Sequence, residues 1–236
     1  MAFLGLDVSK EKIDCCLLLP SLSKKPKRTV IKQSSQGYEQ LHSWLTDNSV
    51  SLEGLTTVLE PTGVYSHQIV RWLYNQKASV CVVQPTQARN FARYHKMNSK
   101  NDAIDSQMLA QMGMEQGLHL KPWTPIEPLY EKLNFLLKRL NQTVQMRRRE
   151  MNRLDGHDGI DAFIEADAYT KATIEFFDSQ EKQIFAQVQE LIASDVTLSK
   201  DFKLLKTIPG IGLKTASFLA VLFNTRTFTK AEQVAK

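Results

Sequence analysis

Two short apolar runs in this chain each end on a carboxylate. Ala2-Phe-Leu-Gly-Leu closes on Asp7, and Leu55-Thr-Thr-Val-Leu closes on Glu60. Runs of this length and character read as strands of a buried sheet, and such a strand hands its terminal acid to the sheet's edge. A third contribution comes from Lys100-Asn-Asp-Ala-Ile-Asp-Ser, where Asp102 and Asp105 stand at the start of a helical pattern. Two strand ends and one helix start can converge on one edge of one sheet.

The elements around these acids support that frame. Residues 2–7 are strand-like, the Val8–Lys12 region turns, and Ile13–Leu19 is a second apolar run. Pro20–Pro26 turns again, and Thr29–Lys32 forms a third strand, so two hairpins in series make an antiparallel meander. Helical spacing of Leu41, Trp44 and Leu45 marks a helix over 37–47. A strand at 55–60, a helix at 64–76 and a strand at 78–83 follow. The expected fold class is α/β: a mixed sheet with helices on its faces. A basic stretch, Arg89, Arg93, His95, Lys96 and Lys100, leads into a helix over about 101–116.

Three of the eight prolines fall in Lys121-Pro-Trp-Thr-Pro-Ile-Glu-Pro, which marks a domain boundary. Beyond it, Leu129, Leu133, Leu136, Leu137, Leu140 and Val144 keep helical steps in a helix over about 129–154. A second helix over about 170–193 carries Ile174, Phe177, Ile184, Val188 and Leu191 on one side. Asp155-Gly-His-Asp-Gly159 breaks the chain between them, as in an antiparallel helical hairpin. Both stripes are narrow, as in a coiled-coil arm or dimerisation element. The last segment reads as a short helix, an Ile208-Pro-Gly-Ile-Gly212 hairpin and a second helix, a helix-hairpin-helix-like unit. Bare backbone at Gly210 and Gly212, with Lys214 and Thr215 beside it, suits a phosphate.

At 236 residues, with 42% hydrophobic content, the chain is long enough for one ordinary core plus an appendage. The net charge of +5 permits a nucleic-acid partner. Cys15, Cys16 and Cys81 form no disulfide framework and no zinc spacing, which fits a reducing cytoplasm. The longest apolar run, Phe218–Phe223, is far short of the roughly 20 residues that cross a bilayer, and without a basic region followed by a long apolar stretch the start is not expected to act as a signal peptide.

Four carboxylates without sulfur or imidazole are an oxygen-only ligand set, which favours Mg²⁺ or Mn²⁺ and phosphodiester chemistry on nucleic acid. Each signal also has a plainer reading. Asp7 can cap a turn, and Asp102 and Asp105 complement a helix dipole. The basic stretch before them can be a solvated face or can hold substrate phosphates. The helix from Glu131 to Arg153 holds seven Lys or Arg against two Glu, among them Arg139, Arg147, Arg148, Arg149 and Arg153. Consecutive arginines point about 100° apart, so they form no flat patch; solvation and contact with a wrapped nucleic acid both fit them.

Gly5-Leu-Asp-Val-Ser-Lys10, Glu60-Pro-Thr-Gly-Val-Tyr65, Lys100-Asn-Asp-Ala-Ile-Asp105 and Ile208-Pro-Gly-Ile-Gly212 with Thr215-Ala216 occur in this order and spacing in IS110/IS1111-type transposases, including the Piv-type DNA invertases. The chain resembles that family over essentially its whole length. The resemblance implies a ribonuclease H-like (RuvC-like) domain over 1–122, whose DEDD site is Asp7, Glu60, Asp102 and Asp105, holding two Mg²⁺ or Mn²⁺ ions. It implies a helical hairpin or coiled-coil region over 123–200 and the start of a C-terminal transposase domain over 201–236. DNA is the implied partner, with a guide RNA in some members, self-association through the hairpin, no membrane, and a bacterial, nucleoid-associated location.

In the family a serine further along the C-terminal domain acts as nucleophile. Ser217 lies in an apolar helix context and does not match its motif, so this chain is expected to be an incomplete member without that nucleophile. Asn101 stands where Thr is common, and still caps a helix. Other readings stay open: a Holliday-junction-resolvase-like endonuclease using metal-activated water, told apart by free 5′-phosphate ends rather than a covalent adduct; and a non-catalytic nucleic-acid-binding scaffold, told apart by the absence of specific Mn²⁺ binding. A sugar-kinase-like ATPase shares the first-strand Gly-x-Asp, but the first half has no glycine-rich phosphate loop.

Overall fold

The structure, a computed structural model, describes residues 2–19, 25–95, 102–156, 164–226 and 228, with the backbone alone at 102, 103 and 164. The chain divides into two compact units, Met1–Pro125 and Ile126–Lys236.

In the first unit β1 (Phe3–Val8), β2 (Lys12–Leu18) and β3 (Lys27–Lys32) form the expected meander. Then come α1 (Ser35–Asp47), β4 (Thr56–Leu59), a 3₁₀ turn (Gly63–Tyr65), α2 (Ser66–Asn75), β5 (Ser79–Val82), α3 (Pro85–Tyr94) and α4 (Asp102–Gln116). The sheet order is β3-β2-β1-β4-β5, with β4 parallel to both β1 and β5. Only β2 runs against the rest, the arrangement of a ribonuclease H-like sheet. β1 and β4 are nearly continuous apolar runs because helices cover both of their faces. On one face Leu4, Leu6, Leu59 and Val80 pack on α1 and α2 through Tyr38, Leu41, Leu45, Ile69 and Leu73. On the other, Val58 and Cys81 pack on α3 and α4 through Phe91, Met108, Leu109 and Met112.

α3 was legible only as part of a basic stretch, yet it is a helix with an ordinary start. Pro85 opens it, and the Gln87 side chain accepts from the Gln84 backbone N–H at 2.9 Å. Ser34 caps α1 by accepting from the Gly37 N–H at 3.2 Å.

The second unit is helical: α5 (Pro128–Asp155), α6 (Ile164–Ala193), α7 (Val196–Lys206) and α8 (Leu213–Thr225). α6 begins earlier than the apolar spacing indicated, because Glu165 and Asp167 in its first turn suit a helix start without adding to the stripe. The break expected at 155–159 lies largely outside the described residues. Leu133, Leu137 and Leu140 of α5 meet Ile184, Val188 and Ile192 of α6, and Leu198, Ala216, Ala220 and Val221 close over them. The 133–140 and 184–192 parts of the narrow stripes, expected to meet a second copy of the chain, are thus packed here with α7 and α8, while Val144, Ile174 and Phe177 lie outside this cluster and are half-buried. Among the described residues no helix is long and apolar enough to cross a membrane.

Candidate functional site

Strand register decides which side chains can meet. Leu4 and Leu6 face α1 and α2, so Gly5 and Asp7 of β1 face the α4 side. In β4 Val58 faces that side, and so does Glu60, one residue past the strand and one step beyond the Leu6–Leu59 pairing. The Pro61 that follows holds Glu60 extended. Asp7 and Glu60 therefore end neighbouring parallel strands on one face.

Gly5 brings in α4. A Cβ there would stand 1.9 Å from the Ser106 carbonyl oxygen and 2.3 Å from the Ala110 nitrogen, so only glycine admits the helix backbone. Further along α4, Gly113 lies against Val58, Phe3 and Thr56, so the helix runs opposite to β1 and β4. From Ser106 back to Asp102 is about 6 Å of helix, and from Gly5 on to Asp7 is about 6.6 Å of strand. The first turn of α4, with half-buried Asp105, is level with Asp7 and Glu60. Asp102 opens that turn, and its side chain lies outside the described residues.

Register adds an acid that sequence reading missed. Asp14 of β2 is the direct partner of Asp7 and shares its face, giving a row of carboxylates Asp14–Asp7–Glu60 across three strands. The signal was present: Asp7 and Asp14 are equidistant from the hairpin turn. Lys12 reaches Asp14 at 3.0 Å and offsets part of that charge. Asp7, Glu60 and Asp105 each engage a neighbouring group. Among the described residues no three His, Cys, Asp or Glu side chains are gathered closely enough to hold an ion. Like charges at neighbouring positions repel until a cation screens them, so an edge of carboxylates need not be drawn into a cage. The donor chemistry, carboxylate oxygen throughout, fits a hard divalent cation.

The basic candidates are dispersed. Arg89 and Arg93 are exposed on α3. His95, closing α3, pairs at 3.0 Å with Glu115. That position lies about 15 Å down α4 from Asp105, so the Arg93 end of α3 is at the far end of the sheet from the carboxylates. Lys96, Lys100 and Asn101 lie outside the described residues. In the second unit Arg147 is committed to α6, at 3.2 Å from Asp178 and 3.3 Å from Glu181. Lys214 also pairs with Glu181, and Arg153 with Glu150 at 2.7 Å. Arg139, Arg148 and Arg149 are exposed, as are Gly210, Gly212 and Thr215 at the turn into α8. Gly210 sits at φ +86°, which the turn requires. Ser217 is fully buried, and its hydroxyl donates to the Leu213 carbonyl at 2.9 Å, a packing role. All three cysteines are buried free thiols, and burial raises the pKa of each.

Residues 4–157 match the family model of the IS110-type DEDD transposases, described as a transposase. Pilin gene-inverting proteins of Moraxella lacunata and Moraxella bovis are each 25% identical to the chain, over 99% and 93% of its length and 70% and 65% of their own. Among solved structures, Thermus thermophilus RuvC aligns at 12% identity and a TM-score of 0.38, covering 52% of this chain and all of that one. The same protein in complex with a Holliday junction substrate aligns at 10% identity and a TM-score of 0.35, and alignments this loose carry no functional argument. The family match spans most of the chain and includes the strand ends and helix start described above: the chain belongs to the IS110-type DEDD transposase family.

Proposed function

We propose that the chain is a DNA strand-processing recombinase of transposase type, whose chemistry is centred on Asp7, Glu60, Asp102 and Asp105 with two Mg²⁺ or Mn²⁺ ions. The observation that carries this reading is the levelling of α4's first turn with the ends of β1 and β4, which the close approach at Gly5 enforces. Asp7 is central, flanked by Glu60 on one side and Asp14 on the other. With two ions bound, the carboxylates of Asp7, Glu60, Asp102 and Asp105 would hold them, Asp7 from the middle of the row. When bound, the metals supply Lewis acidity toward a phosphoryl oxygen and the leaving alkoxide. The protein's part is to fix the carboxylates on a rigid edge, and Lys12 keeps Asp14 from competing at full charge.

The test is titration of the chain with Mn²⁺ by calorimetry, beside Asp7→Asn and Asp105→Asn. Saturable binding that either substitution abolishes is the expected result. A titration without saturable binding, or one untouched by Asp7→Asn, removes the site. Incubation with labelled supercoiled DNA then reads the chemistry. Metal-dependent nicks with free 5′-phosphate ends point to activated water, and a denaturation-resistant protein–DNA band points to a protein nucleophile.

A further inference from the structure

Basic groups at the carboxylate edge come from the outer strands of the sheet. Lys12 of β2 and Lys32 of β3 are register partners, and both face the same side as Asp7 and Asp14. The turn before Lys12 is fixed twice: the Ser9 hydroxyl donates to the Lys12 carbonyl at 2.8 Å, and the Gln33 N–H donates to the Glu11 carbonyl at 3.0 Å. Beside the two lysines, around the outer edge of β3, is a cleft of about 370 Å³ lined also by Val30 and Ser34 and by Gln36 and Gln40 of α1, with no acid in its lining. Val30, 56% exposed, shows that the outer strand is open on this face.

We infer that this cleft binds a backbone phosphate of a DNA strand, a few nucleotides along from the phosphodiester that lies at the carboxylate row. The inference rests on the reading above. Lys32, with Lys12 held to Asp14 beside it, and three neutral hydrogen-bonding side chains suit a phosphodiester, and no acid lines the cleft itself. From Asp7 to Lys12 is one strand across and two residues along, on the order of 9 Å, or two to three nucleotides at about 3.4 Å rise each. A strand anchored there is held in register with the carboxylates, which the far end of α3 cannot do. The plainer role of lysines on an outer strand is to deter edge-to-edge pairing, and that role does not depend on which face they occupy.

Lys27 separates the two. It lies on the same strand, faces the opposite side and is also exposed, held at 2.6 Å by Asn48. The experiment measures binding of a short labelled duplex against salt, in EDTA so that metal chemistry plays no part. Folding of each variant is checked by circular dichroism. Lys32→Ala is expected to weaken binding several-fold and to flatten the log–log salt slope by about 0.9, with Lys32→Arg restoring both. Gln36→Glu, which puts an acid in the cleft, is expected to weaken binding further. Lys27→Ala should change neither affinity nor slope. Equal losses in Lys27→Ala and Lys32→Ala, or no loss in Lys32→Ala while the unsubstituted chain binds, overturns the cleft alone. An unsubstituted chain with no salt-dependent binding overturns the DNA reading beneath it.

Discussion

The sheet unit and the helical unit place their charges by different means. In the first, strand register and one close backbone approach fix Asp7, Glu60 and the start of α4 at one edge, and the acids follow from where their strands end. In the second, charges hang on long helices and find one another: Glu181, 9% exposed, gathers Arg147 from α5 and Lys214 from α8. A backbone frame can keep like charges side by side at a site. A side-chain network spends its charges on internal order. The two units should therefore fail differently when altered.

The largest effect is expected at Gly5. In Gly5→Val the new side chain would meet α4 backbone, not a flexible neighbour, so the unit must open or give up α4 packing. A loss of more than about 3 kcal/mol is expected in denaturant unfolding, together with loss of Mn²⁺ binding. Gly54→Ala is the control: at φ +75° with open space around it, strain alone should cost about 1 kcal/mol. Equal effects at the two glycines would mean that the close approach does not hold the edge together.

The counterpart in the helical unit is Glu181→Ala. It leaves Lys214 without its acid and Arg147 with Asp178 alone; both cations are partly exposed, so a loss on the order of 2 kcal/mol is expected. Stability and binding should move in opposite directions, because Lys214 loses its acid and Arg147 one of its two, and DNA affinity should rise. Affinity and stability falling together would mean that the network shapes a binding surface and does not compete with one.

This contrast also explains what was legible in the sequence. Asp7 and Glu60 could be read because a strand's end is visible as the end of an apolar run, and the meander followed from turn spacing. Asp14 was missed because its importance lies in pairing with Asp7, which neither local segment states. α3 was not legible as a helix because only Ala88 and Phe91 of its ten residues are buried, too few to make a periodic apolar stripe among Arg89, Arg93 and their polar neighbours. The arginine run could not be sorted in advance. Which of three consecutive arginines meets an acid depends on where α6 lies, and Asp178 and Glu181 are some thirty residues away in the chain.

That run provides a finer test. Arg147→Ala should cost about 2 kcal/mol of stability, since it breaks two ion pairs, and should leave the DNA salt slope unchanged. Arg148→Ala and Arg149→Ala, at exposed positions, should leave stability within about 0.5 kcal/mol. If they touch phosphate, each should flatten the slope by about 0.9. A slope that responds to Arg147→Ala and not to its neighbours would reverse the assignment.

The smallest effect is expected at alkaline pH, and it separates the units by composition. All three cysteines and all three tryptophans fall within Met1–Pro125. Burial, with Asp14 and Cys16 nearby as lesser causes, pushes the Cys15 thiol far above its usual 9.0. A folded-state pKa raised in this way favours the neutral thiol. Its contribution is fully present below pH 9 and is lost as the unfolded chain ionises above it, because the folded state then holds the extra proton. Tyr38 in the first unit and Tyr130 in the second are also raised, but from 10.0, so they enter later. Between pH 9 and 10 the sheet unit should lose about 1 kcal/mol and the helical unit much less. Tryptophan fluorescence during urea unfolding, with reductant present, reports the sheet unit alone. Its midpoint should fall across this window, and Cys15→Ala should start lower and fall less. A midpoint that declines equally in Cys15→Ala would place the alkaline sensitivity outside this thiol.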